Sequence, residues 1–89
     1  MKYDFHFTDE ARAQLRQIQK QDALRILEKL TLLGDDPYQD NNNVTAMQGY
    51  ADRYRLRVGN YRVVYRIVDG ELVILVIGVG VRGAIYRNM

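Results

Sequence analysis

The segment from Arg53 to Tyr65 constrains the fold more than any other part of the chain. It reads RYRLRVGNYRVVY, two alternating runs around a Gly59-Asn60 pair. Because strand side chains alternate with period two and Gly-Asn is typical of a two-residue hairpin loop, the segment predicts a β-hairpin. With that loop, Arg57 is expected to pair with Arg62, and Arg53 with Arg66.

The two faces of the predicted hairpin differ in chemistry. One is apolar and aromatic and consists of Tyr54, Leu56, Val58, Tyr61, Val63 and Tyr65. The other, which we call the arginine face, consists of Arg53, Arg55, Arg57, Arg62 and Arg66, with Val64 among them. Directly opposed like charges destabilise a sheet, so the pattern predicts a surface that holds an anion. The alternative is a solvated strand face of long arginines, although a surface built only for solubility normally mixes both signs.

The distribution of charge supports an anionic partner. Residues 1–50 contain six Lys and Arg against eight Asp and Glu, whereas residues 51–89 contain seven against three. All seven cations of the second part are arginines. Arginine binds phosphate in a planar, bidentate way. The asymmetry therefore points to nucleic acid or an acidic protein as a partner.

Length and composition limit the architecture and the compartment. The 89 residues predict a single domain over 1–89. The chain lacks cysteine, which excludes disulfides and suits the cytoplasm. The N-terminus shows no apolar signal-peptide region, and the apolar run from Leu72 to Val81 has about half the length that a bilayer requires. We expect a cytoplasmic protein with no membrane partner.

The part of the chain before the hairpin predicts one strand and two helices. Residues 3–7 alternate and indicate a short strand. Thr8 is the expected N-cap of an amphipathic helix that reaches about Gln19. Asp22 is the expected N-cap of a second helix, whose apolar stripe includes Leu27 and which Gly34 ends. The polar tract at 40–43 predicts an exposed loop.

After the hairpin, Asp69-Gly70 predicts a second tight turn of type I′. In the resulting register, Arg66, Val64 and Arg62 would face Val73, Leu75 and Ile77, which gives the arginine face an apolar floor. Residues 72–77 are apolar throughout and predict a central strand, which the chain would leave at Gly78. The order of elements predicts an α+β fold, in which an N-terminal strand and a two-helix hairpin pack on an antiparallel β-sheet and the arginine face stays open.

The candidate chemistry rests on arginine and tyrosine. His6 is the lone histidine and the chain has no cysteine or serine, so we expect no metal site, no cofactor and no serine triad. Arginine and tyrosine suit attack by an RNA 2′-hydroxyl on the adjacent phosphorus, where positioning supplies much of the rate and cations stabilise the charge that develops. Arginine is a poor general base because its pKa lies above ~12.

The segments Tyr54–Tyr65, Asp69-Gly70, Val79-Gly80, Arg82 and Ile85–Arg87 resemble the RelE/ParE superfamily of toxins from type II toxin–antitoxin systems, and are closer to the RelE branch. The resemblance spans nearly the whole chain. It implies a RelE-like fold and a metal-independent, ribosome-dependent mRNA endonuclease that inhibits translation. The implied partners are the ribosome with its mRNA and a cognate RelB-type antitoxin that neutralises the toxin.

The resemblance also implies site residues. The catalytic set is Arg55, Arg57, Arg62, Arg82 and Tyr86, and further RNA contacts are expected from Arg53, Arg66 and Arg87. Within the set, Arg62 would hold the scissile phosphate, Arg82 would stabilise the transition state and Tyr86 would orient the base. Arginine occupies the place of a family lysine proposed as general base, and Val81 stands where many relatives carry His or Lys. Two alternatives follow: a ParE-like toxin that binds gyrase, and a weakened relative that only binds antitoxin.

Overall fold

The computed structural model describes residues 3–81 and shows two helices and five strands. Arg82, Tyr86 and Arg87 lie outside the described residues. The elements, in chain order, are β1 (Asp4–Phe7), α1 (Asp9–Gln17), α2 (Lys20–Asp35), β2 (Val44–Ala46), β3 (Arg53–Val58), β4 (Tyr61–Val68), a short 3₁₀ turn (Asp69–Glu71) and β5 (Val73–Val81).

The strands form one sheet in the order β1-β5-β4-β3-β2. The pairs β2–β3, β3–β4 and β4–β5 are antiparallel, and β1 lies parallel to β5 at one edge. The α+β fold class is confirmed, and β5 is the expected strand with neighbours on both sides. The parallel pairing of β1 and the strand β2 were not predicted, because β2 has only three residues and no local turn signal marks a parallel contact.

The β3–β4 hairpin has the predicted register. Arg57 lies opposite Arg62, and Arg53 lies opposite Arg66. Gly59 has a φ of 58°, as the first loop residue of a type II′ turn requires. Glycine meets this requirement without steric cost, so a two-residue loop can close the hairpin and fix which side chains share a face.

The second turn differs from the prediction. Val68 pairs with Val73, so the loop runs over four residues and Arg66 faces Leu75. Two tyrosines from distant parts of the chain explain the wider loop. The hydroxyl of Tyr3 donates to Asp69 Oδ1 at 3.0 Å, and that of Tyr38 donates to Asp69 Oδ2 at 2.6 Å. These tertiary contacts hold Asp69 in the 3₁₀ turn. They come from residues far from the turn in sequence, so the local Asp-Gly signal cannot reveal them.

Strand β5 contains a β-bulge at Ile77. Tyr65 pairs with Val76, but Val64 pairs with Gly78, so Ile77 is the extra residue. Beyond the bulge the strand continues to Val81, and the prediction that the chain leaves it at Gly78 is wrong. The Thr8 hydroxyl donates to the Ile77 carbonyl at 2.9 Å, which satisfies a backbone acceptor at the irregular position.

Helix α2 begins earlier and ends later than predicted. It starts at Lys20 with Gln19 as N-cap, and Asp22 lies inside its first turn, where the carboxylate accepts a hydrogen bond from the Tyr61 hydroxyl at 3.1 Å. Gly34 lies within the helix, and its carbonyl accepts from the Tyr3 N–H at 2.9 Å. Neither described helix has the length and apolar character needed to cross a membrane.

Both helices pack on the apolar face of the sheet, as expected. The core consists of Tyr3, Ala11, Ile26, Leu30, Leu33, Leu56, Val58, Val63, Tyr65, Ile67, Ile74, Val76 and Val79. Within it, the ring of Tyr54 stacks on that of Tyr65, with centroids 5.7 Å apart. Leu27 was expected in the α2 core stripe but is 39% exposed. Because the helices cover this face, the arginines lie on the opposite side of the sheet.

We expect Thr8→Ala to lower the free energy of unfolding by about 1–2 kcal/mol. The Thr8 oxygen accepts from the Ala11 N–H at 3.1 Å, which confirms the predicted N-cap, and the hydroxyl also donates to the bulge. Thr8→Ser keeps both bonds and should retain most of the stability. Thr31→Ala is the control, because the Thr31 hydroxyl donates to the Leu27 carbonyl within the same helix, on an exposed face. If Thr8→Ala and Thr31→Ala lose equal unfolding free energy in urea, the two hydrogen bonds of Thr8, to the helix N-terminus and to the bulge, do not stabilise the fold beyond an ordinary helix bond.

We expect Tyr65→Phe to be at least as stable as the natural protein at pH 7. The Tyr65 hydroxyl is buried and has no hydrogen-bond partner among the described residues, which is costly. Burial raises the pKa of Tyr65 above its usual 10.0, so the folded state holds this proton more tightly. This titration therefore leaves stability unchanged below pH 10.0 and lowers it as the pH rises from there through the folded-state pKa.

The alkaline fall in unfolding free energy should therefore be smaller for Tyr65→Phe than for the natural protein. It should not disappear, because the pKa values of Tyr3, Tyr38 and Tyr61 are also raised. Urea unfolding measures this difference at several pH values, from neutral pH to the highest pH at which both proteins stay folded. If the unfolding free energies of the two proteins fall equally as the pH rises, the buried Tyr65 phenol does not contribute to the loss of stability at alkaline pH.

Candidate functional site

The arginine face lies on β3 and β4, on the side of the sheet away from the helices. Alternation along the strands places Arg53, Arg55 and Arg57 on one strand beside Arg62 and Arg66 on the next. Two arginine pairs are directly opposed, and such opposed residues have Cα atoms about 4.5–5.5 Å apart. The structure thus brings together the five arginines that the sequence assigned to this face.

The floor of the arginine face is partly as predicted. Val64 is fully buried there, and Leu75 lies opposite Arg66. The wider turn at Asp69 and the bulge at Ile77 together change the rest, because they shift the register so that Val64 faces Gly78 and Arg62 faces Gly80 rather than Ile77. Since glycine has no side chain, β5 places none directly beside Arg62. The floor next to this arginine is therefore flatter than the sequence suggested.

One end of the face carries compensated charge. Arg66 donates from Nε and Nη2 to Asp52 Oδ2, at 3.0 and 2.9 Å. The guanidinium of Arg53 lies over the Tyr50 ring, 4.4 Å from its centroid, within the range of a cation–π contact. Sequence reasoning missed both partners. An acidic residue directly before an arginine-rich strand was the available signal for Asp52.

At the other end of the arginine face, the described residues that contact the guanidinium groups are all neutral. Arg57 donates from Nη2 to Asn43 Oδ1 at 3.2 Å, and Arg62 donates from Nη1 to the Tyr61 carbonyl at 3.1 Å. No carboxylate within residues 3–81 forms an ion pair with either arginine. Two guanidinium groups on opposed positions can hold a phosphate through several charge-assisted hydrogen bonds. This end is the candidate anion site.

Arg55 lies between the two ends, opposite Val64 on the neighbouring strand. Its side chain lines a groove at the β2 edge, together with Thr45, Ala46, Met47 and Gln48. The structure therefore places Arg55, Arg57 and Arg62 of the expected catalytic set on one face, with Arg53 and Arg66 beside them. The remaining expected residues, Arg82, Tyr86 and Arg87, fall outside the described part of the chain.

Four of the described tyrosines offer little as general bases. Burial and a hydrogen bond to Asp22 raise the pKa of Tyr61, and burial raises that of Tyr65. The hydrogen bond to Asp69 raises the pKa values of Tyr3 and Tyr38. These phenols stay protonated near neutral pH. His6 is exposed on the edge strand β1, and residues 3–81 contain no cluster of metal-ligating side chains.

Comparison with known families identifies the chain. The family described as "ParE toxin of type II toxin-antitoxin system, parDE" matches residues 5–86. The chain belongs to this toxin family. A RelE-like toxin protein from Escherichia coli is 29% identical over 84 residues, which cover 92% of this chain and 85% of the relative.

Solved structures place this toxin within the RelE/ParE superfamily and closer to RelE. The archaeal RelE of a RelE–RelB complex from Pyrococcus horikoshii is 28% identical, with a TM-score of 0.80 and coverage of 94% of this chain and 99% of that one. A variant of Escherichia coli RelE, in complex with an antitoxin RelB peptide, is 29% identical, with a TM-score of 0.80 and coverage of 94% and 87%. The RelE-like fold is thereby confirmed.

We expect Asp52→Asn to strengthen binding of a polyanion such as inorganic polyphosphate. The substitution removes the carboxylate that compensates Arg66, and we expect a gain of roughly twofold to fivefold at low salt that shrinks as salt rises. Stability should fall by about 1 kcal/mol or less, because the ion pair is partly exposed. Glu28→Gln makes the same charge change on an exposed helix position and should leave binding nearly unchanged. If Asp52→Asn and the natural protein bind the polyanion with equal affinity, the Asp52 carboxylate does not reduce the attraction between Arg66 and anions.

Proposed function

We propose that this toxin is a ribosome-dependent mRNA endonuclease that cuts by attack of a 2′-hydroxyl. The observation that carries the proposal is the open, opposed pair Arg57 and Arg62, whose guanidinium groups contact only neutral oxygens among the described residues. The RelE-like fold around this pair supports it. An anion site of this kind suits a single phosphodiester group held on a flat surface.

In the proposed reaction the 2′-oxygen forms a bond to phosphorus and the bond from phosphorus to the 5′-oxygen breaks. The products are a 2′,3′-cyclic phosphate and a 5′-hydroxyl end. Arg62 holds the scissile phosphate, while Arg55 and Arg57 stabilise the negative charge that grows on the phosphorane oxygens. Arg82 stabilises the transition state near the leaving oxygen, and Tyr86 stacks on the base. Arg53, Arg66 and Arg87 bind the RNA backbone.

Positioning carries much of this mechanism. The arginines stay protonated, and the pKa values of Tyr3, Tyr38, Tyr61 and Tyr65 are raised, so none of these groups readily accepts the 2′-hydroxyl proton near neutral pH. Water accepts this proton, and water also protonates the 5′-oxygen. An mRNA held in the decoding site would present the 2′-oxygen in line with phosphorus, which lowers the entropic part of the barrier. Free RNA lacks this alignment, and cleavage should therefore depend on the ribosome.

We propose a cognate RelB-type antitoxin as the partner that neutralises the toxin. Related RelE proteins were solved in complex with RelB. An antitoxin that covers the arginine face with acidic side chains would remove the anion site and the charge at once. Because the target is a translating ribosome, the proposed site of action is the cytoplasm.

Primer-extension mapping of an mRNA in a translating extract, with and without the purified toxin, tests the proposal. We expect cuts inside codons at the decoding site, and none in a parallel reaction without ribosomes. Intact mRNA in the presence of folded toxin would overturn the proposal.

We expect Arg62→Ala to lower the cleavage rate by about 10²–10³-fold, the usual cost of losing one preorganised transition-state contact. The variant should relieve growth inhibition while its thermal unfolding stays close to that of the natural protein. Arg12→Ala is the matched control, because Arg12 is exposed on α1, which packs on the opposite face of the sheet. Full toxicity of Arg62→Ala would exclude its assigned role.

A second candidate function is gyrase binding, as in ParE toxins. The family that matches residues 5–86 is the ParE toxin family, and the tyrosines with raised pKa values do not supply a base. In this case the arginine face would contact an acidic protein surface rather than a phosphodiester. A DNA-damage response on induction, with mRNA left intact, would favour gyrase binding over cleavage.

A further inference from the structure

A groove opens beside the arginine face, at the β2 edge of the sheet. Its volume is about 550 Å³, within the range of small-molecule sites. Its walls are formed by Thr45, Ala46, Met47, Gln48 and Arg55. The anion site described above does not include the segment 45–48.

Local backbone geometry builds this groove. Thr45 lies directly opposite Arg55 in the β2–β3 pairing, so both belong to the arginine side of the sheet. The Met47 N–H donates to the Arg53 carbonyl at 3.0 Å, and Gly49 then adopts a φ of 84°. Glycine adopts a positive φ without steric cost, and the Tyr50 N–H donates to the Met47 carbonyl at 3.4 Å, which closes a turn at this point. The chain therefore folds back after β2 and leaves residues 45–48 as a side wall.

The wall combines the chemistry that a nucleobase requires. Met47 is half-buried and offers a thioether, which packs well against aromatic rings. Gln48 is exposed, and its amide can donate and accept at once, which matches the edge of a base through two hydrogen bonds. Arg55 adds a cation at the side where the groove meets the arginine face.

We propose that this groove binds a nucleobase of the nucleotide next to the scissile phosphate, and that Gln48 reads the edge of that base. The inference rests on the proposed cleavage of mRNA and deepens it by assigning a source of base preference. Charge and position suit RNA in this groove. Its only charged lining residue is a cation, among those that the structure describes, and it adjoins the face where a sugar–phosphate backbone would run. Adenine is the expected base, because a glutamine amide pairs with it in a bidentate way.

Fluorescence anisotropy with four labelled homopolymer hexaribonucleotides tests the assignment. We expect the natural protein to prefer one base, and Gln48→Ala to reduce that preference by roughly fivefold or more, the factor that corresponds to losing about one base-edge pair. Binding of the other three oligonucleotides should change little. Gln39→Ala is the matched control, an exposed glutamine in the segment after α2. Arg57→Ala should weaken binding of all four oligonucleotides equally, because Arg57 is expected to contact phosphate rather than a base.

Mapping of cut sites with the same variants separates the two proposals. Cleavage by Gln48→Ala at a shifted set of codons supports the groove. Cleavage at an unchanged set, with an unchanged base preference in anisotropy, overturns the groove and leaves the proposed function intact. Absence of cleavage by the natural protein, with a base preference that depends on Gln48, overturns the proposed function and leaves the groove.

A third measurement tests whether a protein, rather than RNA, occupies the groove. If Met47→Ala and Gln48→Ala weaken binding of the cognate antitoxin while the base preference stays as in the natural protein, the groove is a protein-binding site and the assignment to RNA is wrong. No measurable base preference in the natural protein also overturns the assignment.

Discussion

The register of the β3–β4 hairpin is the constraint on which the rest of the structure depends. The Gly59-Asn60 loop sets Val58 opposite Tyr61, and every later pair follows from it. A slip of one residue would turn the arginines toward the helices and the tyrosines toward solvent. The apolar face buries Leu56, Val63 and Tyr65, and this burial offsets the cost of the opposed arginines on the other side.

The opposed arginine pairs differ in what surrounds them, and this difference links stability to function. Arg66 has the Asp52 carboxylate and Arg53 has the Tyr50 ring, so that end of the face is stabilised by the protein itself. Arg57 and Arg62 contact only neutral oxygens within the described residues. Uncompensated like charges in register are a local cost, and a bound phosphate would remove it. We therefore expect the functional anion to bind at this end.

The sequence allows prediction wherever a local signal decides the structure. Period-two alternation and the Gly-Asn loop were enough for the hairpin register, and hence for placing Arg55, Arg57 and Arg62 on one face. The turn at Asp69 was not predictable in this way, because its geometry depends on Tyr3 and Tyr38, which approach it from distant positions. The bulge at Ile77 likewise has a partner from a distant part of the chain, the Thr8 hydroxyl. Asp52 and Asn43, which modify the site, lie in segments without periodicity, so only the folded chain shows their roles.

The most direct test of the central claim is the unfolding free energy of the natural protein and Arg57→Gln at low and high salt. We expect the variant to be more stable at low salt by about 0.2–1 kcal/mol, and the difference to shrink at high salt as screening weakens the repulsion. Any change in stability caused by Arg53→Gln should be the same at low and high salt, because Tyr50 and Asp52 already compensate the charge at that end and the buried Arg53 Nε has no hydrogen-bond partner among the described residues. If Arg57→Gln is less stable at low salt, or if the difference does not respond to salt, repulsion between Arg57 and Arg62 is not a cost to the folded state.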